Sequence, residues 1–123
     1  MNQLLNKLSP YSHILPRIVL ATTFLVHGFP KLINPIPMTE MGMPLFMVYL
    51  IGLFEVGGAL LLLIGITKDW ATRIGALLIS VIMVGAIAMV HIKDGWQGNE
   101  WQLLILAVSL MYATKGNSIN KGF

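Results

Sequence analysis

Glu55 stands mid-way along an apolar run from Leu45 to Ile66, in the stretch Phe54-Glu-Val-Gly-Gly-Ala59. If that run is a membrane helix, the carboxyl lies about 16 Å from either end at 1.5 Å per residue, the costliest depth in a bilayer for a carboxylate. Such a group must face the inside of a helix bundle. There it can hydrogen-bond a bound molecule, pass protons, or hold helices together. Gly57 and Gly58 beside it remove side-chain bulk and let a neighbouring backbone or a ligand come close. In the preceding apolar run, Arg17, Leu20, Phe24, His27 and Lys31 recur at three- and four-residue steps, which puts the ionisable groups on one helical face. Counted from the same membrane surface, His27 lies about 20 Å deep and Glu55 about 16 Å, so the two are expected side by side. A carboxyl and an imidazole shielded from water are suited to general acid–base work. In the third run, Arg73, Leu77, Ser80, Val84, Ile87 and His91 form another such stripe. Lys31, His91 and Glu100 gather near one boundary while Arg17 and Arg73 lie near the other, so a polar column is expected from the bundle centre to one surface.

Four elements must position these groups. The apolar stretches 14–33, 45–66, 71–92 and 100–114 are separated by Asn34-Pro-Ile-Pro37, Thr67-Lys-Asp-Trp70 and Lys93 to Asn99, all rich in breakers or charge. Spans of about 20 residues are helices crossing a bilayer. Transmembrane strands would alternate over about ten residues, and Ala59 to Ile64 does not alternate. The chain therefore reads as all-α, one domain over residues 1–123, an up-and-down four-helix bundle in the membrane. Lys7, Lys68, Arg73, Lys115 and Lys121 fall on one side, which places both termini in the cytoplasm. The first run carries Arg17 and Lys31 and lacks a small-x-small cleavage site, so it is expected to stay.

Composition agrees. Of 123 residues, 56% are hydrophobic and 11% charged, with mean hydropathy +0.78, against about 25% charged in soluble domains. A protein this small cannot hide so much apolar surface in its own core, so its solvent is lipid. No cysteine is present, which excludes disulfides and thiolate metal sites, and a net charge of +3 is too small to indicate nucleic acid. Met38, Met41, Met43 and Met47 form a thioether cluster that could favour Cu(I) near His27 and His91, though methionine also fills apolar surfaces. The two histidines differ in depth by about 10 Å, too far apart for one haem. Ser80 and Ser109 have no visible catalytic partners, no phosphate-binding loop is present, and Trp70, Trp96 and Trp101 sit where headgroup anchors belong.

Several pieces recur together: Arg17 entering the first run, His27-Gly28-x-x-Lys31 ending it, Glu55-x-Gly57-Gly58 followed by Gly65-Ile-Thr-Lys68, His91 closing the third run and Glu100 opening the fourth. In this combination the chain resembles the DoxX family of membrane proteins from Arg17 to about Ser118. The resemblance implies a four-helix integral membrane protein of the bacterial inner membrane, similar to the small subunit of thiosulfate:quinone oxidoreductase. The reading that follows is a small subunit or accessory protein of a membrane redox system, with a pocket for a quinone or similar lipophilic ring. Glu55 and His27 would be the catalytic handles, and Arg17, Lys31, Gly58, His91 and Glu100 would complete the binding set, with no metal. Its partners would be the lipid bilayer, a membrane redox protein supplying electrons, and a second copy of the chain in a homo-oligomer. Two alternatives stand beside it: a non-catalytic scaffold that docks partner subunits, and a metal or small-solute transporter that uses the polar column.

Overall fold

The computed structural model describes residues 1–91, 93 and 95–121, without the side chains of 90, 91 and 119–121. The described chain is all-helical. It comprises α1 (Asn2–Leu8), α2 (Ile14–Ile33), α3 (Ile36–Glu40), α4 (Leu45–Ile64), α5 (Asp69–Ala86), continued by a π-helical turn Ile87–His91, and α6 (Gly95–Lys115). Short 3₁₀ turns, Ser9–Tyr11 and Gly116–Lys121, flank α2 and α6.

Prolines mark the boundaries. Pro30 lies inside the last turn of α2, where its missing N–H removes one bond from the ladder, and the helix closes at Asn34, whose N–H reaches the Pro30 carbonyl. Pro35 precedes α3, and the extended Pro44 opens α4. The separator Asn34-Pro-Ile-Pro37, expected to be turn-like, thus runs into a short helix, Ile36–Glu40. α6 begins five residues before the expected start at Glu100, and Ile92, where the third run was expected to end, lies outside the described residues.

α2 packs along α4, α4 along α5 and α5 along α6. The central pairings rest on glycine. A Cβ on Gly75 would stand 2.8 Å from the Gly58 carbonyl, and one on Gly58 would stand 3.0 Å from the Gly75 carbonyl, so α4 and α5 meet backbone to backbone. Gly57 faces open space and does not take part. Around these seams Leu20, Phe24, Ala59, Leu62, Ala76, Ile79 and Tyr112 form the core.

The expected inward stripe of the third run is corrected by the structure. α5 buries Thr72, Gly75, Ala76, Ile79, Ser80 and Met83, while Arg73 is exposed and Leu77 and Val84 are each 53% exposed. Close packing on α4 selects the small-residue face. It turns Arg73 toward the end of α6, where it donates to the Thr114 carbonyl at 2.7 Å and pairs with Asp69.

The starts of α2 and α5 meet the ends of α4 and α6 around Arg17, which is fully buried. Its guanidinium donates to the Leu62 carbonyl and to Thr72 Oγ1, both at 2.8 Å, and to Asn117 Oδ1 at 3.4 Å, and it lies over the Tyr112 ring at 5.1 Å. Asn117 donates through Nδ2 to the Gly65 carbonyl and through its backbone N–H to Asp69, both at 2.7 Å. The left-handed Gly116, φ +54°, makes the turn that delivers it. The Tyr112 hydroxyl donates to the His13 carbonyl at 2.5 Å, so the N- and C-terminal segments are locked together at this end.

Outside, the long helices present large apolar side chains, among them Leu15, Phe46, Trp96 and Trp101, each about 70% exposed. Among the described residues, two helices are long and apolar enough to cross a membrane: α4, and α5 with its π-helical continuation to Met89. α2 and α6 carry Arg17, His27 and Lys31, and Asn99, Glu100 and Gln102, within their lengths.

Two expectations follow. Gly75→Ala destabilises the protein by about 1–3 kcal/mol through overpacking, while Gly57→Ala is neutral or stabilising by up to about 1 kcal/mol from helix propensity; thermal melts in detergent separate them. Burial, and then the nearby Arg17 guanidinium, hold the His13 imidazole below its ordinary pKa of 6.5. The unfolded chain then binds the proton more readily, so stability is lost as pH falls below 6.5 toward the lower folded value. Melts from pH 7.5 to 5 show a drop that His13→Gln flattens.

Candidate functional site

Away from the Arg17 end, α2, α4, α5 and α6 diverge around a cavity of about 480 Å³. Its lining is mainly apolar, with polar groups grouped on the α2 and α4 side. α4 carries Glu55, which is 3% exposed, and α2 carries Lys31 one turn beyond His27. Lys31 Nζ donates to Glu55 Oε1 at 2.5 Å.

Local backbone geometry makes that reach possible. A Cβ on Gly28 would stand 2.7 Å from the Glu55 Cβ, and one on Gly52 would stand 3.0 Å from the Lys31 Cβ and 3.1 Å from the Gly28 carbonyl. The two glycines bring α2 and α4 close on either side of the ion pair, and the lysine reaches the carboxylate without bending either helix. Gly28 was legible only as part of a motif, and Gly52 carried no signal beyond its step of three from Glu55. Both position the site.

His27 and Glu55, expected side by side, both line the cavity, but the partner of Glu55 is Lys31. The His27 ring is exposed and stands at the cavity's open edge. The rest of the expected binding set is dispersed. Arg17 belongs to the network at the other end of the molecule. Gly58 is spent on the contact with α5, and Glu100 is exposed on the first turns of α6. The side chain of His91 lies outside the described residues.

The methionine cluster splits. Met38, Met43 and Met47 line the cavity together with Met83 and Met89, while Met41 is 81% exposed. Their flexible thioethers give the wall an adaptable apolar surface. Among the described residues, no group of three or more His, Cys, Asp or Glu side chains is placed to hold a metal. Sequence reasoning missed Gln102, which α6 contributes to the wall opposite α2, and also Thr72, Asn117 and Tyr112, which hold Arg17. A glutamine on a weakly amphipathic helix gives no periodic signal, and Asn117 becomes interpretable only once Gly116 is seen to turn the chain.

Chemically, the cavity offers a cation held by a carboxylate, an imidazole at the entrance and a deformable apolar wall. That combination can hold a largely apolar molecule that offers hydrogen-bond acceptors to the lysine.

The DoxX family model matches residues 13–92. The chain is 31% identical over 118 residues to the Bacillus subtilis (strain 168) protein described as "Putative oxidoreductase CatD", a match covering 92% of this chain and 85% of that protein. No solved structure matches it. The extent of both sequence matches, which include the Arg17 entry, the His27-Gly28-x-x-Lys31 ending and the Glu55 helix, shows that this chain belongs to the DoxX family.

Proposed function

We propose that the protein is a small membrane subunit or accessory protein of a redox system, and that its cavity binds a quinone or similar lipophilic ring. The observation that carries this reading is the Lys31–Glu55 ion pair facing a largely apolar cavity with His27 at its edge. A volume of about 480 Å³ lies within the range of about 300–1,000 Å³ usual for small-molecule sites. Membership in the DoxX family and similarity to a protein described as an oxidoreductase support the redox role.

On this proposal the whole chain is one domain, an up-and-down four-helix bundle crossing the bacterial inner membrane, with both termini cytoplasmic. α2 and α6 then span beside α4 and α5, and their polar groups are directed largely toward the cavity or the Arg17 network. The apolar exterior supports this placement, because an aqueous surface would not carry so many exposed Leu, Ile, Val and Trp side chains.

Bound in the cavity, a quinone would accept two electrons and two protons and leave as a quinol. The residues supply the proton side of that balance. Lys31 presents an ammonium donor to a ligand oxygen, and Glu55 keeps that charge in place and can carry a proton in exchange. His27, on the open edge, is placed to pass protons between the cavity and its surroundings. Electrons come from a partner redox protein in the same membrane. Arg17 maintains the opposite end of the bundle, and the second copy expected of a homo-oligomer stays part of this proposal.

The test is titration of purified protein in lipid nanodiscs with 2-methyl-1,4-naphthoquinone, followed by quenching of the native tryptophans. Glu55→Gln weakens binding by at least about tenfold, the scale of one charge-assisted hydrogen bond, and His27→Ala lowers partner-dependent reduction. Unchanged binding and reduction in both variants would instead assign the buried pair to scaffolding. In thermal melts Lys31→Met, which leaves a buried carboxylate unpaired, costs about 3–5 kcal/mol, and adding Glu55→Gln to it restores much of the loss.

A further inference from the structure

The bundle leaves α1 uncovered. None of its residues is buried, and among the described residues it packs on the Ser9–Tyr11 turn that follows it and lies along none of the long helices. It is nevertheless helical over seven residues, a length at which an isolated helix in water is marginal. Its two sides differ. Met1, Leu4, Leu5 and Leu8, with Tyr11 in the next turn, share one side at three- and four-residue steps, and each is more than half exposed. Asn2, Gln3, Asn6 and Lys7 occupy the other side. A helix with such sides is stabilised where water meets hydrocarbon.

Its position in the fold supplies that boundary. Ser9–Tyr11 packs on the Gly116–Lys121 turn at the Arg17 end, and Pro10, which lacks an N–H, separates α1 from α2. The 20 residues of α2 cover about 30 Å, the whole hydrocarbon thickness, which leaves α1 at headgroup level. The exposed apolar side runs on without a break, because Leu15 and Ile18 of α2 follow Leu8 and Tyr11 at the same steps. Charge at this end is positive. Lys7, Lys68 and Lys115 are exposed there, while Asp69 pairs with Arg73.

Resting on the membrane placement proposed above, we propose that α1 is an interfacial helix that binds the anionic phospholipid surface of the bilayer. Leu4, Leu5 and Leu8 enter the acyl boundary, Tyr11 sits among the headgroups, and Lys7, with Lys68 and Lys115, meets lipid phosphates. Hydrocarbon beneath a plane of negative charge matches the leucines and the lysines together, and it is the surface that α2 already borders. A separate peptide of this length would not stay on a membrane. Joined to a span through residues 9–13, α1 binds intramolecularly and needs little affinity of its own. It thereby fixes the depth of the Arg17 end in the bilayer.

The chain has no cysteine, so a single introduced one takes a spin label at a known site. Full-length Leu8→Cys, Asn6→Cys and Leu53→Cys are labelled in nanodiscs of phosphatidylcholine with or without phosphatidylglycerol. Collision of each label with oxygen, which concentrates in lipid, is compared with collision with a water-soluble nickel chelate. Leu53, 59% exposed on α4, reports the membrane placement itself. With phosphatidylglycerol present, the label at position 8 is expected to favour oxygen and the label at position 6 the chelate. Adding Lys7→Gln lowers the inserted-to-free ratio of α1 by about fivefold in those discs, the factor for one lysine at an anionic surface, and leaves it unchanged in phosphatidylcholine alone. Preference for the chelate at both positions 6 and 8, with oxygen preferred at 53, overturns the interfacial helix while the membrane placement stands. Low collision with both reagents at position 8 also overturns it and assigns that side to a protein chain. A Lys7→Gln ratio equal to that of the parent in both lipids overturns the headgroup pairing. Preference for the chelate at position 53 overturns the membrane placement, and the interfacial helix with it.

Discussion

A carboxyl group buried at the centre of an apolar helix needs a hydrogen-bonding partner, and in this protein that partner is Lys31, 2.5 Å from Glu55. Removing either partner leaves the other charge buried and uncompensated, and together they fix how α2 lies on α4. The requirement propagates outward. Lys31 reaches Glu55 only because Gly28 and Gly52 allow the two backbones to close, and the register this imposes leaves His27 on the free flank of α2. On its other face α4 meets α5 through Gly58 and Gly75. One central helix is thus held by glycine contacts on two sides, with its single acidic side chain turned to the cavity.

The two ends of the molecule do different work. At the terminal end, buried Arg17 gathers the Leu62 carbonyl, Thr72, Asn117 and the Tyr112 ring, so four helix ends converge with dense hydrogen bonding. At the other end the helices part around a methionine-rich wall, and polar groups there number few. A bundle pinned at one end and open at the other can hold a ligand without losing its fold, because the contacts that define the topology lie away from the cavity. The same division places Arg17 away from the cavity, in the network that ties the terminal segments to the bundle.

The helical class, the four long segments and the inward turn of Glu55 and Lys31 were legible because each leaves a period or a cost in the sequence. A buried charge in an apolar run has few explanations. The pairing was not legible. Depth counting put His27 level with Glu55 but carries no information on rotation, and the side-chain reach of lysine let a residue one turn further along win the contact. The inward face of α5 was misread for a related reason. A stripe chosen by ionisable groups followed Arg73 and His91, whereas packing followed Gly75, Ala76 and Ile79, and small residues look neutral on a hydrophobicity scale. Asn117 and Gln102 lay beyond sequence reasoning because their roles depend on a turn at Gly116 and on the divergence of α6 from α2.

Whether the Lys31–Glu55 cavity holds a lipophilic redox molecule is read by native mass spectrometry of protein released from mild detergent, with identification of whatever small molecule stays bound. Wild type is expected to retain a quinone near stoichiometrically and the double variant Lys31→Met, Glu55→Gln, which leaves neither charge unpaired, to lose it. Phospholipid alone in both, after purification from cells with abundant quinone, would contradict it and leave the ion pair as a structural brace.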